Sequence, residues 1–325
     1  MKEIFIGLLA VSLIQIANCQ TTNKDTHTID LFHPPKVASL FMENLVSTSM
    51  YERDFAISPD GTEILFTTMI PFSNFQTLVC LKKGGNAWTG PEVVSFSGKY
   101  SDLEPAYSAD GKKLFFSSNR PVDGEKIKDF DIWYVEKENG KWGKPQNIGA
   151  PINTEADEFY PSVATNGNLY FTAEYKGGIG REDIYMSRWE NDRYQSPTVL
   201  DSMINSAFYE FNAFISPGEE FIIFSSQGRK DEKGRGDLYL SMKDPFNKWK
   251  PAVNLTIINS DRLDYCPFVS YDKKILFFTS ESHDLKRSFE KPLSYKNLQK
   301  IAKQTRNGFG NIYWIDFSTV LNYLK

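Results

Sequence analysis

Five carboxylates recur at one register of this 325-residue chain: Glu52, Asp102, Glu158, Glu210 and Asp264. Each stands six residues before a small residue, and those anchors (Ser58, Ser108, Ala164, Ser216, Ser270) are 50, 56, 52 and 54 residues apart. Converging carboxylates do acid–base work, and glycosidic cleavage needs a pair of them with unequal proton affinities. The other use is structural: an acid at the same place in every unit ties down the loop entering that unit by accepting backbone N–H bonds. The sameness of the five copies favours the structural use. A carbohydrate-active enzyme working through these carboxylates is the alternative.

Other chemistry is thinner. Asp131, Asp183, Asp237 and Asn311 open equivalent β-prone runs, one per unit, and read as turn formers. No Asp-x-Asp-x-Asp-Gly loop accompanies them, so no metal is expected, and no cofactor either. There is no Gly-x-Ser-x-Gly, and histidines stand only at 27, 33 and 283, which leaves no nucleophile–base pair to name. The turn Ser-x-Asp-Gly lacks the spacer and the tryptophan of a sialidase Asp-box. Cations gather instead in the loops of the last two units: Arg229, Lys230 and Arg235, then Lys286, Arg287 and Lys296 in a longer insertion. Within that insertion Ser294 can cap a helix carrying Leu298, Ile301, Ala302 and Thr305 on one face, with Gly308 to end it. These six cations are the candidate binding residues, because binding groups collect on loops of a rigid scaffold. A solvated helix patching the scaffold is the plainer reading.

The elements that would hold these groups repeat with the same period. After each anchor comes a turn (Asp60-Gly61, Asp110-Gly111, Asn166-Gly167, Pro217-Gly218, Asp272) and then an unbroken apolar run such as Leu114-Phe115-Phe116 or Ile222-Ile223-Phe224. Unbroken runs belong to strands covered on both faces, and repeats of about 50 residues mean blades or solenoid turns that bury their faces on one another. Five copies predict an all-β, five-bladed β-propeller. The segment from Pro35, PKVASLFMENLVST, reads as the tail of a repeat without a beginning. The last copy lacks an outermost strand, so the N-terminal segment should close the ring. The pattern at 102 to 118, Asp-x-x-Pro-x-x-Ser-x-Asp-Gly-Lys-x-Leu-Phe-Phe-Ser-Ser, resembles the WD40-like (PD40) repeat of TolB-like propellers. The resemblance covers nearly all of the chain after its leader and implies a propeller serving as a binding or scaffolding platform.

Lys2 followed by the 13-residue apolar run Ile4 to Ile16 has signal-peptide length and is too short to span a bilayer. Residues 1–19 are therefore expected to be a signal peptide, 20–34 a polar tether, and 35–325 one propeller domain. Cys19 is either a lipidation site or the last residue before an ordinary cleavage; both readings stand. Export leads to the periplasm, the outer membrane or the medium. A formal net charge of −4 argues against nucleic acid, and no later stretch is apolar enough for a transmembrane span. Cys80 and Cys266 read as two buried thiols, with a disulfide between the adjoining first and fifth repeats as the alternative. The expected protein is a monomeric module of the cell envelope with a protein or acidic polysaccharide partner.

Overall fold

A computed structural model describes residues 28–324. The leader and Cys19 lie outside the described residues. Five antiparallel blade sheets follow one another, each running from an innermost to an outermost strand, and a separate two-stranded hairpin (Trp189–Glu190 and Arg193–Tyr194) stands beside them. The innermost strands are Tyr51–Ile57, Asp102–Tyr107, Glu158–Val163, Tyr209–Ile215 and Asp264–Val269. Second strands (Glu63–Met69, Lys113–Ser118, Leu169–Ala173, Phe221–Gln227, Ile275–Ser280) are almost wholly buried, as their unbroken apolar runs require. Third strands begin at Gln76, Asp131, Asp183, Asp237 and Asn311. Fourth strands are short in blades two to four, two residues each.

The fifth blade takes its outermost strand from the N-terminal segment, Ser39–Leu40, in register with Trp314 and Tyr313. Phe41 follows it into the core, fully buried against Phe55 and Phe277 with ring centroids 5.1 and 5.0 Å away. Burying one such ring contributes about 1.5–3 kcal/mol, so this closure is a packed joint as well as a pair of ladder bonds.

Each first-to-second turn places its left-handed residue three positions after the anchor. In blades one to three that residue is a glycine, Gly61, Gly111 or Gly167. In blade four the sequence suggested Gly218, but the positive φ falls on Glu219, and in blade five on Lys273. Position in the hairpin decides the conformation, whatever residue occupies it. Glu219 gains interblade bonds there: its carboxylate accepts from Asn168 Nδ2 and Tyr170 Oη, both at 2.9 Å, in blade three.

The insertion of blade five carries helix α1, Tyr295–Ala302, with Ser294 as its N-cap accepting from the Asn297 N–H. It ends at Lys303, five residues before the expected Gly308. A second helix, α2 (Phe317–Tyr323), follows the last strand and wedges Phe317 against Phe221 at 5.3 Å. The sequence reading did not foresee it.

Candidate functional site

Antiparallel order puts one set of connections, including the second-to-third loops, at the end where innermost strands begin. That end is the mouth; the tight hairpins lie at the other. Along the mouth the five recurring acids are fully buried. Each takes hydrogen bonds from a hydroxyl residue four or five positions upstream, in the loop entering its strand. Glu52 accepts from Thr48 and from Asn311 Nδ2 at 3.1 Å. Asp102 accepts from Ser97 Oγ (2.7 Å), Ser118 Oγ (2.6 Å) and the Arg120 guanidinium. Glu158 binds Thr154 Oγ1 at 2.7 Å and Tyr175 Oη at 2.8 Å. Glu210 takes Ser206 N–H (2.7 Å), Ser226 Oγ (2.7 Å) and the Arg229 fork. Asp264 accepts the Ser260 N–H. Burial raises the carboxyl pKa of Glu52 and Asp102, and pushes Glu158 to about 7 and Asp264 to about 6. The residues that open the third strands do the same for the loop that precedes them. Asp183 holds the Ile179 and Gly180 N–H groups, and Asp237 holds those of Lys233 and Gly234. Among the described residues no acid, His or Cys cluster has the arrangement of a metal site.

The six cations divide. Arg229 points inward: it sits 2.9 Å from Glu210 and over the rings of Phe224 and Tyr239, with guanidinium-to-centroid distances of 5.2 and 4.7 Å. Arg120 does the same in blade two, over Phe116 and Trp133 and paired with Asp102. An arginine two or three residues past the Ser-Ser near the end of the second strand was the sequence signal, present in two copies. Arg235 pairs with Glu281 at 3.3 Å. Lys230, Lys286, Arg287 and Lys296 are exposed, and none of these four has an ion-pair partner among the described residues.

Sequence reasoning missed the centre of the ring. Two residues after each buried acid the innermost strand bulges and one residue takes positive φ: Asp54, Glu104, Tyr160, Asn212 and Cys266. All five are buried and meet around Arg53. Arg53 donates to Asp54 Oδ1 at 2.7 Å and Glu104 Oε1 at 2.9 Å, and its guanidinium lies 5.1 Å from the Tyr265 ring centroid. Glu104 also accepts from Asn212 Nδ2, Ser117 Oγ and the Tyr160 N–H. Burial drives its pKa up, while Arg53 and these donors pull it back toward the ionised form. Tyr160 crosses the axis to Pro267 O at 2.9 Å. On the hairpin side Phe55, Tyr107, Phe214, Phe268 and Tyr271 leave a void of about 30 Å³, room for a water molecule and little more. The axis is thus a plugged core, and its carboxylates are turned to one another and to Arg53. The signal was a column four residues before the anchors in which the five residue types all differ.

Toward solvent a polar chain climbs from this core: Tyr265 Oη donates to Tyr51 Oη at 3.0 Å, Tyr51 bonds Glu281, and Glu281 pairs with exposed Arg235. Phe72 and Phe309 meet edge-to-face on the rim at 6.0 Å.

Neither a protein-family model nor a curated protein sequence matches the chain. Solved structures do resemble it. A glycoside hydrolase aligns with TM-score 0.53 and 9% identity over 87% of this chain and 92% of its own. A thermostable family-43 glycoside hydrolase gives 0.46 and 13% over 84% and 92%. TolB from Acinetobacter baumannii gives 0.44 and 12% over 81% of this chain, which spans 54% of the TolB chain. At these identities the likeness is one of fold, a β-propeller. No helix among the described residues is long and apolar enough to cross a membrane.

Proposed function

We propose that this protein is a binding module of the cell envelope, exported by its leader, that captures an acidic protein surface or acidic polysaccharide through the blade-five insertion at its mouth. One observation carries the reading. Helix α1 has no buried residue, yet it presents Lys296 and Lys300, with Tyr295 and Leu298 exposed beside them. The insertion's acids are largely spent within the fold: Glu281 on Tyr51 and Arg235, and Asp284 on Arg306 at 2.9 Å. Its cations are left as a net positive sector on a protein of negative charge, which steers anionic partners. Arg229 and Arg235 stand behind this sector as supports. The enzyme alternative draws on the raised pKa values of Glu158 and Asp264, as a general acid requires, but both carboxyls are sealed in loop contacts.

The test reverses Lys230, Lys286, Arg287 and Lys296 to Glu and measures binding to immobilised polygalacturonate and poly-glutamate across a salt series. The native protein should bind one of them, weakening as salt rises because exposed charges are screened within about 8–10 Å, and the reversed protein should not. Equal binding by both proteins, or hydrolysis of a glycoside substrate lost in Glu158→Gln with melting unchanged, would overturn the reading.

A further inference from the structure

Blades pack as wedges, and at the hairpin end most wedges are filled by side chains of their own. Between blades one and two, Tyr107 and Lys137 both reach Glu63, at 3.1 and 3.3 Å, with Trp142 over Tyr107. Between three and four, Glu219 bridges to Asn168 and Tyr170. Between four and five, α2 inserts Phe317 and buried Val320. The wedge between blades two and three stays open as a groove of about 1240 Å³. That exceeds the roughly 300–1,000 Å³ of sites for drug-sized ligands, so it suits an oligomeric one.

Four aromatic residues line it: Tyr134 and the buried Phe115 on one wall, Trp189 and Tyr194 on the other. All are fixed in advance. Tyr134 donates to Gln146 Oε1 at 3.1 Å and lies under Lys113 Nζ, 4.9 Å from its centroid, while Lys113 pairs with Glu136 at 3.0 Å. Trp189 packs edge-on against Tyr194 at 4.7 Å, and its backbone N–H donates to Asn168 Oδ1 at 3.1 Å. Gly167, at φ 89°, makes the room: a Cβ there would come within 2.9 Å of the Trp189 side chain.

We propose that this groove binds a neutral oligosaccharide several sugar units long. The charges lining it balance, four Lys or Arg against four Asp or Glu, which gives no pull on a polyanion and supplies hydrogen-bonding groups of both kinds around the rings. Aromatic faces, electron-rich at the centre, stack on the C–H faces of pyranose rings while their rims leave the hydroxyls free to bond. Rings held in place before binding lose little conformational entropy on contact. An extended peptide would seek an unpaired strand edge, whereas this groove is walled by strand faces, hairpins and side chains. The site lies at the opposite end of the propeller from the basic insertion and does not depend on it.

The experiment is calorimetric titration of the full chain with maltohexaose, cellohexaose, xylohexaose and mannohexaose. At least one should bind with one-to-one stoichiometry and little salt dependence. Tyr134→Ala and Trp189→Ala should each weaken it about tenfold or more, as loss of a central aromatic anchor does. Ser196→Trp, which fills the groove from an exposed rim position, should abolish binding with the melting temperature unchanged. Charge reversal of the insertion should leave it intact. Failure of all four hexasaccharides to bind, binding indifferent to Trp189→Ala and Ser196→Trp, or displacement of the sugar by a proline-rich peptide would overturn the proposal.

Discussion

Arg53 of blade one and Glu104 of blade two meet at 2.9 Å on the propeller axis, with Asp54 sharing the same guanidinium. One cation thus holds two buried carboxylates that would otherwise repel each other. Removing it leaves both uncompensated, so Arg53→Met should lower unfolding free energy by roughly 3–5 kcal/mol. Adding Glu104→Gln to that variant should recover part of the loss. Urea denaturation of the single and double variants checks this.

The acids at the mouth should behave as latches. Asp102→Asn and Glu210→Gln are each expected to lower stability by about 1.5–3 kcal/mol, the range for a hydrogen bond to a charged group. Arg229→Ala should also lower the melting temperature, because Glu210 loses its ionic partner. A surface cation would not do this, so thermal melts alone distinguish the two placements of Arg229.

Deleting residues 35–46 removes the outer strand of blade five and pulls Phe41 out of its pocket beside Phe55 and Phe277. The exposed edge of the third strand of that blade becomes a template for pairing with other chains. The truncated protein should lose its single cooperative melt and elute as aggregates in gel filtration.

Stability should fall as pH rises from about 4.5 to 7. Ordinary glutamate and aspartate carboxyls titrate near 4, whereas Glu158 is pushed to about 7 and Asp264 to about 6 by burial. Between those limits the native state holds protons that the unfolded chain has released, so the slope of stability against pH is negative there and levels off above it. Melting at pH 5 should exceed melting at pH 8, and Glu158→Gln should shrink the difference.

The ring was legible in the sequence because its elements are local. Asp60-Gly61 and Asp110-Gly111 state their own turns, and Leu114-Phe115-Phe116 can only be a strand covered on both sides. The missing outer strand was legible as a shortage at one end and a surplus at the other. What could not be read came from distant partners. Arg229 looked like a solvent cation because the Ser-Ser before it, although shared with Arg120, does not by itself announce Glu210 as a partner. The Asp54 to Cys266 column escaped notice because its members share a bulge and no chemistry. Glu219 took the left-handed position because the hairpin imposes it three residues after the anchor, where the sequence had offered Gly218. The groove beside Trp189 is a failure of two blades to fill their wedge, which no motif encodes.

The joint between Ser39–Leu40 and Tyr313–Trp314 also fixes an order of events during synthesis. The strand made first must wait for the strand made last, about 270 residues later. Blades one to four can pair within themselves as they emerge, from contacts close in sequence, while the fifth needs both ends of the chain at once and bears the largest loop-closure entropy. The half-made protein is therefore an open arc with a sticky rim, and its final act of folding is to find its own beginning.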